Sequence, residues 1–144
     1  MSRERAEAIL ANAELAHPAE VVSVAVDRLA VEITTALAAE FPVVLAIMGG
    51  AAVFTGQLLP KLAFPLEFGA IDEGITLAAV RDKLLAQGVR RVLTAVLADK
   101  ALGRAKPIAA DFVGVSVPDR YVFGFGMDAY GLWRNLPAIY ALGN

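Results

Sequence analysis

The 144-residue sequence contains no cysteine. That excludes disulfides and thiolate metal sites, and it fits a reducing cytoplasm. Excess charge of one sign is also missing. Thirteen Lys and Arg against 15 Asp and Glu leave a net charge of −2, with no charge runs, so nucleic acid is not an expected partner. Long hydrophobic runs are absent. The longest, Val43 to Phe54, falls short of the roughly 20 residues that span a bilayer. Met1-Ser2-Arg3-Glu4-Arg5 leads into alternating charge rather than an apolar signal core, so no membrane partner is expected either. There are no repeats and no low-complexity segments. The single histidine, His17, precedes Pro18 and reads as a linker residue.

What is present is apolar: 58% of the residues are hydrophobic. The length fits one domain with a proper core. That composition points to a sheet buried on both faces or to an extensive subunit interface, favouring a homodimer or homotetramer. Glu4 to Leu15 predicts a short helix. Ala19 to Glu40 predicts a long one, with Val22, Val26, Leu29, Ile33 and Leu37 on one face, stopped by Phe41-Pro42. Val43 to Ile47 predicts a buried parallel strand, Met48-Gly49-Gly50 a turn, and Ala51 to Leu62 a second amphipathic helix. Pro65 to Phe68 is a short strand candidate. Thr76 to Gln87 predicts a helix with Gly88 at its C′ position. Val92 to Leu97, Phe112 to Val115 and Tyr121 to Phe123 predict strands, and Asp128 to Leu142 an irregular aromatic tail. Strands alternating with helices predict an α/β fold with a mostly parallel sheet flanked by helices. Ligands then bind beyond the carboxyl ends of the strands. The turns at Met48-Gly49-Gly50, Ile71 to Thr76 and Ala98-Asp99-Lys100 should converge there.

Several of these residues could carry chemistry, each beside a plainer role. In Ile71-Asp72-Glu73-Gly74-Ile75-Thr76-Leu77, glycine permits close approach of the backbone, and helix-start amides with the Thr76 hydroxyl suit a phosphate. Asp72 could take a proton from a substrate nitrogen. The plainer reading is a helix start with acids favoured by the macrodipole. Gly49-Gly50 could hold an anion on backbone N–H groups, or simply make a tight turn. Lys100 could reach a carbonyl or phosphate oxygen, or be solvated. Gly124-Phe125-Gly126-Met127-Asp128-Ala129 matches G-x-G-x-x-A. It is too near the C-terminus to be a dinucleotide fingerprint, which needs a helix, a strand and a ribose-binding acid after it. Tyr121 could stack on a planar ring or pack in the core. Arg134, among Tyr130, Trp133 and Tyr140, could clamp an anion or stack on those rings.

Taken together, Val43 to Leu59, Ile71 to Leu77, Ala95 to Lys100, Ala110 to Val115 and Asp119 to Pro137 resemble segments of the hypoxanthine-guanine phosphoribosyltransferases, in the same order. The stretch from Asp119 to Asp128, with Trp133-Arg134-Asn135-Leu136-Pro137, is similar to the 6-oxopurine branch in particular. The resemblance implies a single domain of the type I, Rossmann-like phosphoribosyltransferase fold over 1–144, with N-terminal helices over 1–41, an α/β core over 42–127 and a site-forming tail over 128–144. It implies a cytoplasmic purine salvage enzyme. Such an enzyme joins hypoxanthine or guanine to phosphoribosyl pyrophosphate (PRPP) with Mg2+, giving IMP or GMP and pyrophosphate. By position, Glu73, Gly74, Ile75, Thr76 and Leu77 would cradle the 5′-phosphate and Asp72 would act as the base at purine N7. Lys100 would donate to the 6-oxo group, Tyr121 would stack on the base, and the Val122 backbone would meet its edge. Asp128 would lie by the exocyclic position and a magnesium-bound water. Met48, Gly49, Gly50 and Arg134 would hold pyrophosphate, with a non-proline cis peptide in the glycine turn.

The sequence departs from the family before Asp72. A mobile loop, and a further strand ending in two acids that bind the ribose hydroxyls, are missing. Phe68 and Gly69 stand where the acids would fall. Leu66 to Ile71 is not a continuous apolar run, as a central parallel strand should be. The expectation is therefore a join of two pieces near Gly69, visible as neighbouring Cα atoms further apart than the ~3.8 Å of a trans peptide. A continuous chain would instead be a deletion, which favours a non-catalytic PRPP- or nucleotide-binding regulator on the same scaffold. A third alternative is an α/β scaffold acting only through its interfaces.

Overall fold

The computed structural model describes residues 2–71 and 76–143. The first helix, α1 (Arg3–Ala11), starts at Ser2, whose Oγ accepts from the Arg5 N–H. It stops short of the predicted Leu15. Asn12 closes it by donating both its backbone N–H and its side-chain amide to the Ala8 carbonyl. The chain then forms a strand that was not expected, β1 (Ala13–His17).

Helix α2 (Ala19–Leu37) buries Val22, Val26, Leu29 and Ile33, the predicted face, with Leu37 half-buried. Burying each such side chain contributes roughly 1.5–3 kcal/mol. The helix lies against α3 (Ala52–Leu58) and β5 (Phe112–Val117). Arg28 ties it to β5 by donating to the Val113 carbonyl at 3.0 Å.

Strand β2 (Val43–Ile47) runs as predicted and leads through the glycine turn into α3, which a single 3-10 turn extends over Leu59–Lys61. Strand β3 (Glu67–Ile71) pairs parallel with β2, from Val43↔Glu67 to Ile47↔Ile71, without interruption. The expected break near Gly69 is therefore not there. One strand both partners β2 and leads to residue 72. It need not be a continuous apolar run, because it is an edge strand with Glu67, Phe68 and Ala70 exposed. Among the described residues the fold, like the sequence, shows neither that loop nor that strand.

Helix α4 (Leu77–Ala86) is capped by Thr76, whose Oγ1 accepts from the Ala79 N–H at 3.2 Å, and is followed by Gly88 at φ 90°. It buries none of its residues. Strand β4 (Ala95–Lys100) pairs parallel with β5. It begins three residues later than expected, because the Asp111 carboxylate takes the Thr94 N–H and hydroxyl at 2.7 and 3.1 Å. Asp99 and Lys100, read as a turn, thus belong to the strand.

The tail is more ordered than its composition suggested. Strand β7 (Ile139–Leu142) runs antiparallel between β1 and β6 (Val122–Phe123). The parallel strands form two separate pairs, β2-β3 and β4-β5, and the antiparallel sheet has the order β1-β7-β6. Phe123, Leu29, Ile139, Val22, Val26 and Val117 are the largest fully buried side chains. Among the described residues, no helix is long and apolar enough to cross a membrane.

Candidate functional site

The parallel pairing of β2 and β3 sets two candidate turns side by side. Ile47 and Ile71 are register partners, and the Met48 N–H donates to the Ile71 carbonyl at 2.8 Å. The glycine turn and the acidic turn thus leave adjacent strand ends. Gly49 adopts φ 92°, which a side chain would resist. The expected cis peptide is absent: no described peptide bond is cis. Asp72, Glu73, Gly74 and Ile75 lie outside the described residues. Thr76 serves as the N-cap, its plainer role. Its hydroxyl oxygen accepts from Ala79 while its O–H proton is not used there.

The tail folds back onto the glycine turn. Gly124 and Gly126 have φ of 96° and 97° and so belong to a tight turn, not to a dinucleotide fingerprint. A Cβ built on Gly126 would stand 2.3 Å from the Gly50 carbonyl oxygen. The Gly126 carbonyl in turn accepts from Arg134 Nη1 at 2.7 Å, and its N–H donates to the Arg134 carbonyl. Arg134 Nη2 also lies 2.9 Å from Asp128 Oδ1, and Asp128 Oδ2 accepts from the Gly131 N–H at 2.7 Å. Three of the predicted site components, the glycine turn, Arg134 and Asp128, are thereby brought together, with Gly126 at the point of contact. Sequence reasoning missed Gly126. Its signal was the alternation of glycine with Phe125 and Met127, which demands a backbone no other residue adopts easily.

Phe125, Tyr130 and Trp133, none of them glycine, sit at φ 51°, 54° and 68°. Left-handed residues of this kind cost of order 1–3 kcal/mol each and cluster at ligand sites. Tyr121 is 47% exposed and stacks on Tyr130, ring centroids 5.9 Å apart and planes 10° apart. The predicted ring-stacking residue therefore presents an aromatic pair. Tyr130 was not singled out, since its partner lies nine residues earlier across a turn. Val122 is in β6, an edge strand, so one side of its backbone faces away from the ladder.

Lys100 ends β4 opposite Val117 and is exposed. Its ammonium makes no ion pair among the described residues, whereas the neighbouring Asp99 is held by Lys106 Nζ at 2.6 Å. Met48, Gly50, Leu77 and Ala98 line one cavity of about 550 Å³ between β2 and β4. Two of the three turns expected to converge thus meet at one cavity, and Leu77 follows the third, while Lys100, Tyr121, Asp128 and Arg134 are not among its lining. Among the described residues no three His, Asp or Glu converge as a metal cage. Asp128 already has both oxygens engaged, and Phe68 and Gly69 offer no ligand. The described residues therefore build no protein cage for a resident magnesium ion.

No protein-family model matches the chain. A hypoxanthine-guanine phosphoribosyltransferase of Aquifex aeolicus is 39% identical over 70 residues, 49% of this chain and 39% of that protein. One of Bacillus subtilis is 41% identical over 69 residues, 48% and 38% of the two chains. The match thus spans about two fifths of the length of these curated relatives. The Aquifex protein is about 180 residues long by that proportion, against 144 here. Among solved structures, a hypoxanthine-guanine-xanthine phosphoribosyltransferase superposes with a TM-score of 0.84 at 24% identity, covering 91% of this chain and 94% of that one. The Trypanosoma cruzi hypoxanthine phosphoribosyltransferase in complex with the product IMP gives 0.82 at 21% identity, covering 92% and 91%. The chain has the type I phosphoribosyltransferase fold, and across just under half its length its sequence is similar to the hypoxanthine-guanine branch of that fold.

Proposed function

We propose that the chain is a purine salvage phosphoribosyltransferase, joining hypoxanthine or guanine to PRPP and releasing pyrophosphate. The observation that carries this reading is the convergence of the glycine turn, Arg134 and Asp128 through Gly126. It sets backbone donors and a guanidinium on one side of the fold, as a leaving diphosphate requires. In the reaction the C1–oxygen bond to pyrophosphate breaks and the C1–nitrogen bond to the purine forms. Asp72 takes the proton at N7. Thr76, with the amides of 73 to 77, holds the 5′-phosphate. Lys100 donates to the 6-oxo group, Tyr121 stacks on the base with Tyr130 behind it, and the Val122 backbone meets its edge. A 6-aminopurine would set Lys100 against another donor, so adenine is rejected. Asp128 lies by the exocyclic position. Magnesium enters with the diphosphate of PRPP as part of the substrate, since the described residues do not cage it. The cytoplasmic setting and a homo-oligomeric state belong to the same reading.

The test is IMP formation from hypoxanthine, PRPP and magnesium. Product formation, with adenine unused, supports the enzyme. An Asp72→Asn variant should lower kcat far more than it weakens IMP binding, and equal losses would remove its role as base. The second reading, a non-catalytic regulator, is favoured by Phe68 and Gly69 standing where ribose-binding acids are expected. Its outcome is saturable PRPP or IMP binding with no turnover.

A further inference from the structure

We propose that the cavity between β2 and β4 is a strand-acceptor slot, and that its ligand is an extended peptide segment of five or six residues, apolar on both faces and supplied by another molecule. Among the described residues β2 pairs only with β3 and β4 only with β5. Each has one edge without a ladder partner. The cavity between them is about 550 Å³, within the range of sites that bury a ligand. Successive residues line it, 43 to 48 from one strand and 93 to 98 from the other. A strand face would show only alternate residues, because side chains alternate across the pleat. Consecutive lining therefore means that the strand edges, with their N–H and C=O groups, look into the slot.

That settles the kind of occupant. A helix or a small apolar molecule would fill the volume and leave two rows of backbone groups unpaired, each costing free energy comparable to a lost hydrogen bond. A strand satisfies both rows at once. Among the described residues no charged side chain lines the cavity, and Thr55 and Thr94 are its only hydroxyl residues. The occupant should therefore read as a continuous apolar run, as strands buried on both faces do. Its length follows from the flanking strands, five and six residues. The surroundings are also unfilled. Helix α4 buries nothing, while Val43 and Leu45 remain 57% and 38% exposed. Among the described residues a second copy of this chain has no spare strand to lend, since its own apolar runs in β2, β4 and β5 are already placed in sheets.

The experiment uses the whole chain and a synthetic peptide, Lys-Lys-Val-Ile-Val-Leu-Val-Lys-Lys. Amide hydrogen exchange is followed residue by residue. With peptide at ten times its Kd, exchange of the edge amides of β2 and β4 should slow about tenfold, while α1 is unchanged. A control peptide N-methylated at alternate residues keeps the apolar surface but loses its donors, and should not protect. Equal protection by the control, or none by either peptide at saturation, overturns the proposal. So does a free chain that is already dimeric with both edges protected, because the occupant is then a second copy. None of these readings involves turnover, so the slot stands or falls independently of phosphoribosyl transfer.

Discussion

Replacing Gly126 by alanine tests the contact on which the candidate site is assembled. Two costs act at this position. The first is backbone: φ is 97°, and a left-handed residue with a Cβ costs roughly 1–2 kcal/mol. The second is steric. The new Cβ would lie 2.3 Å from the Gly50 carbonyl oxygen, about 1 Å inside ordinary contact. Either the glycine turn or the tail must shift, an overpacking cost of about 1–3 kcal/mol. Together they come to about 2–5 kcal/mol, a large share of a total stability of roughly 5–15 kcal/mol. Gly131 supplies the control. Its φ is 80°, but nothing lies within 4 Å of the Cβ position, so Gly131→Ala meets only the first cost. At about 4 °C per kcal/mol for a chain of this size, the Tm should fall by about 8–20 °C for Gly126→Ala and by about 4–8 °C for Gly131→Ala. Circular dichroism melts at equal concentration measure both. Equal shifts, or a Gly126→Ala protein that melts with the wild type, would refute the contact and with it the coupling of the glycine turn to Arg134.

Leu29→Ala removes a fully buried side chain from the α2 face and should cost about 2–5 kcal/mol, read from urea unfolding with an unchanged m value. Trp133 Nε1 donates to the Ala6 carbonyl at 2.9 Å, so Trp133→Phe should cost about 1 kcal/mol. That loss should appear as faster amide exchange confined to α1. The Arg120 guanidinium, bonded to the Glu14 carboxylate, holds that carboxyl below its ordinary value of 4.5. The stabilisation is therefore present above that value and fades as the pH falls through the lowered one. Glu14→Gln should therefore lower the Tm slightly at pH 8, leave it unchanged at acid pH below the lowered value, and so flatten the acid side of the stability profile.

The parts of the fold legible in the sequence were those set by local signals. The α2 face followed from 3.6-residue periodicity, β2 from a continuous apolar run, and both ends of α4 from Thr76 and Gly88. The parts that were not legible depend on distant partners. Ala13-Glu14-Leu15-Ala16-His17 carries no strong strand propensity. It becomes β1 only because Ile139–Leu142 arrives beside it. The start of β4 was misplaced because one side chain, Asp111, replaces ladder bonds at Thr94. In the site, Arg134, Asp128 and the glycine turn could be named from residue type and resemblance. Gly126 and Tyr130 could not, since their importance lies in a carbonyl and a ring that only the folded tail supplies.

The pairing of β1 with β7 also sets a timetable for biosynthesis. Ala13 meets Leu142 and Leu15 meets Tyr140. Residues 13–17 are made well before 139–142, their ladder partner among the described residues. Until that later segment is made β1 has both edges open, and closure of this sheet waits for it. A contact of such sequence separation slows folding. It also makes the nascent chain, rather than the finished one, the form most exposed to chaperones and to premature association.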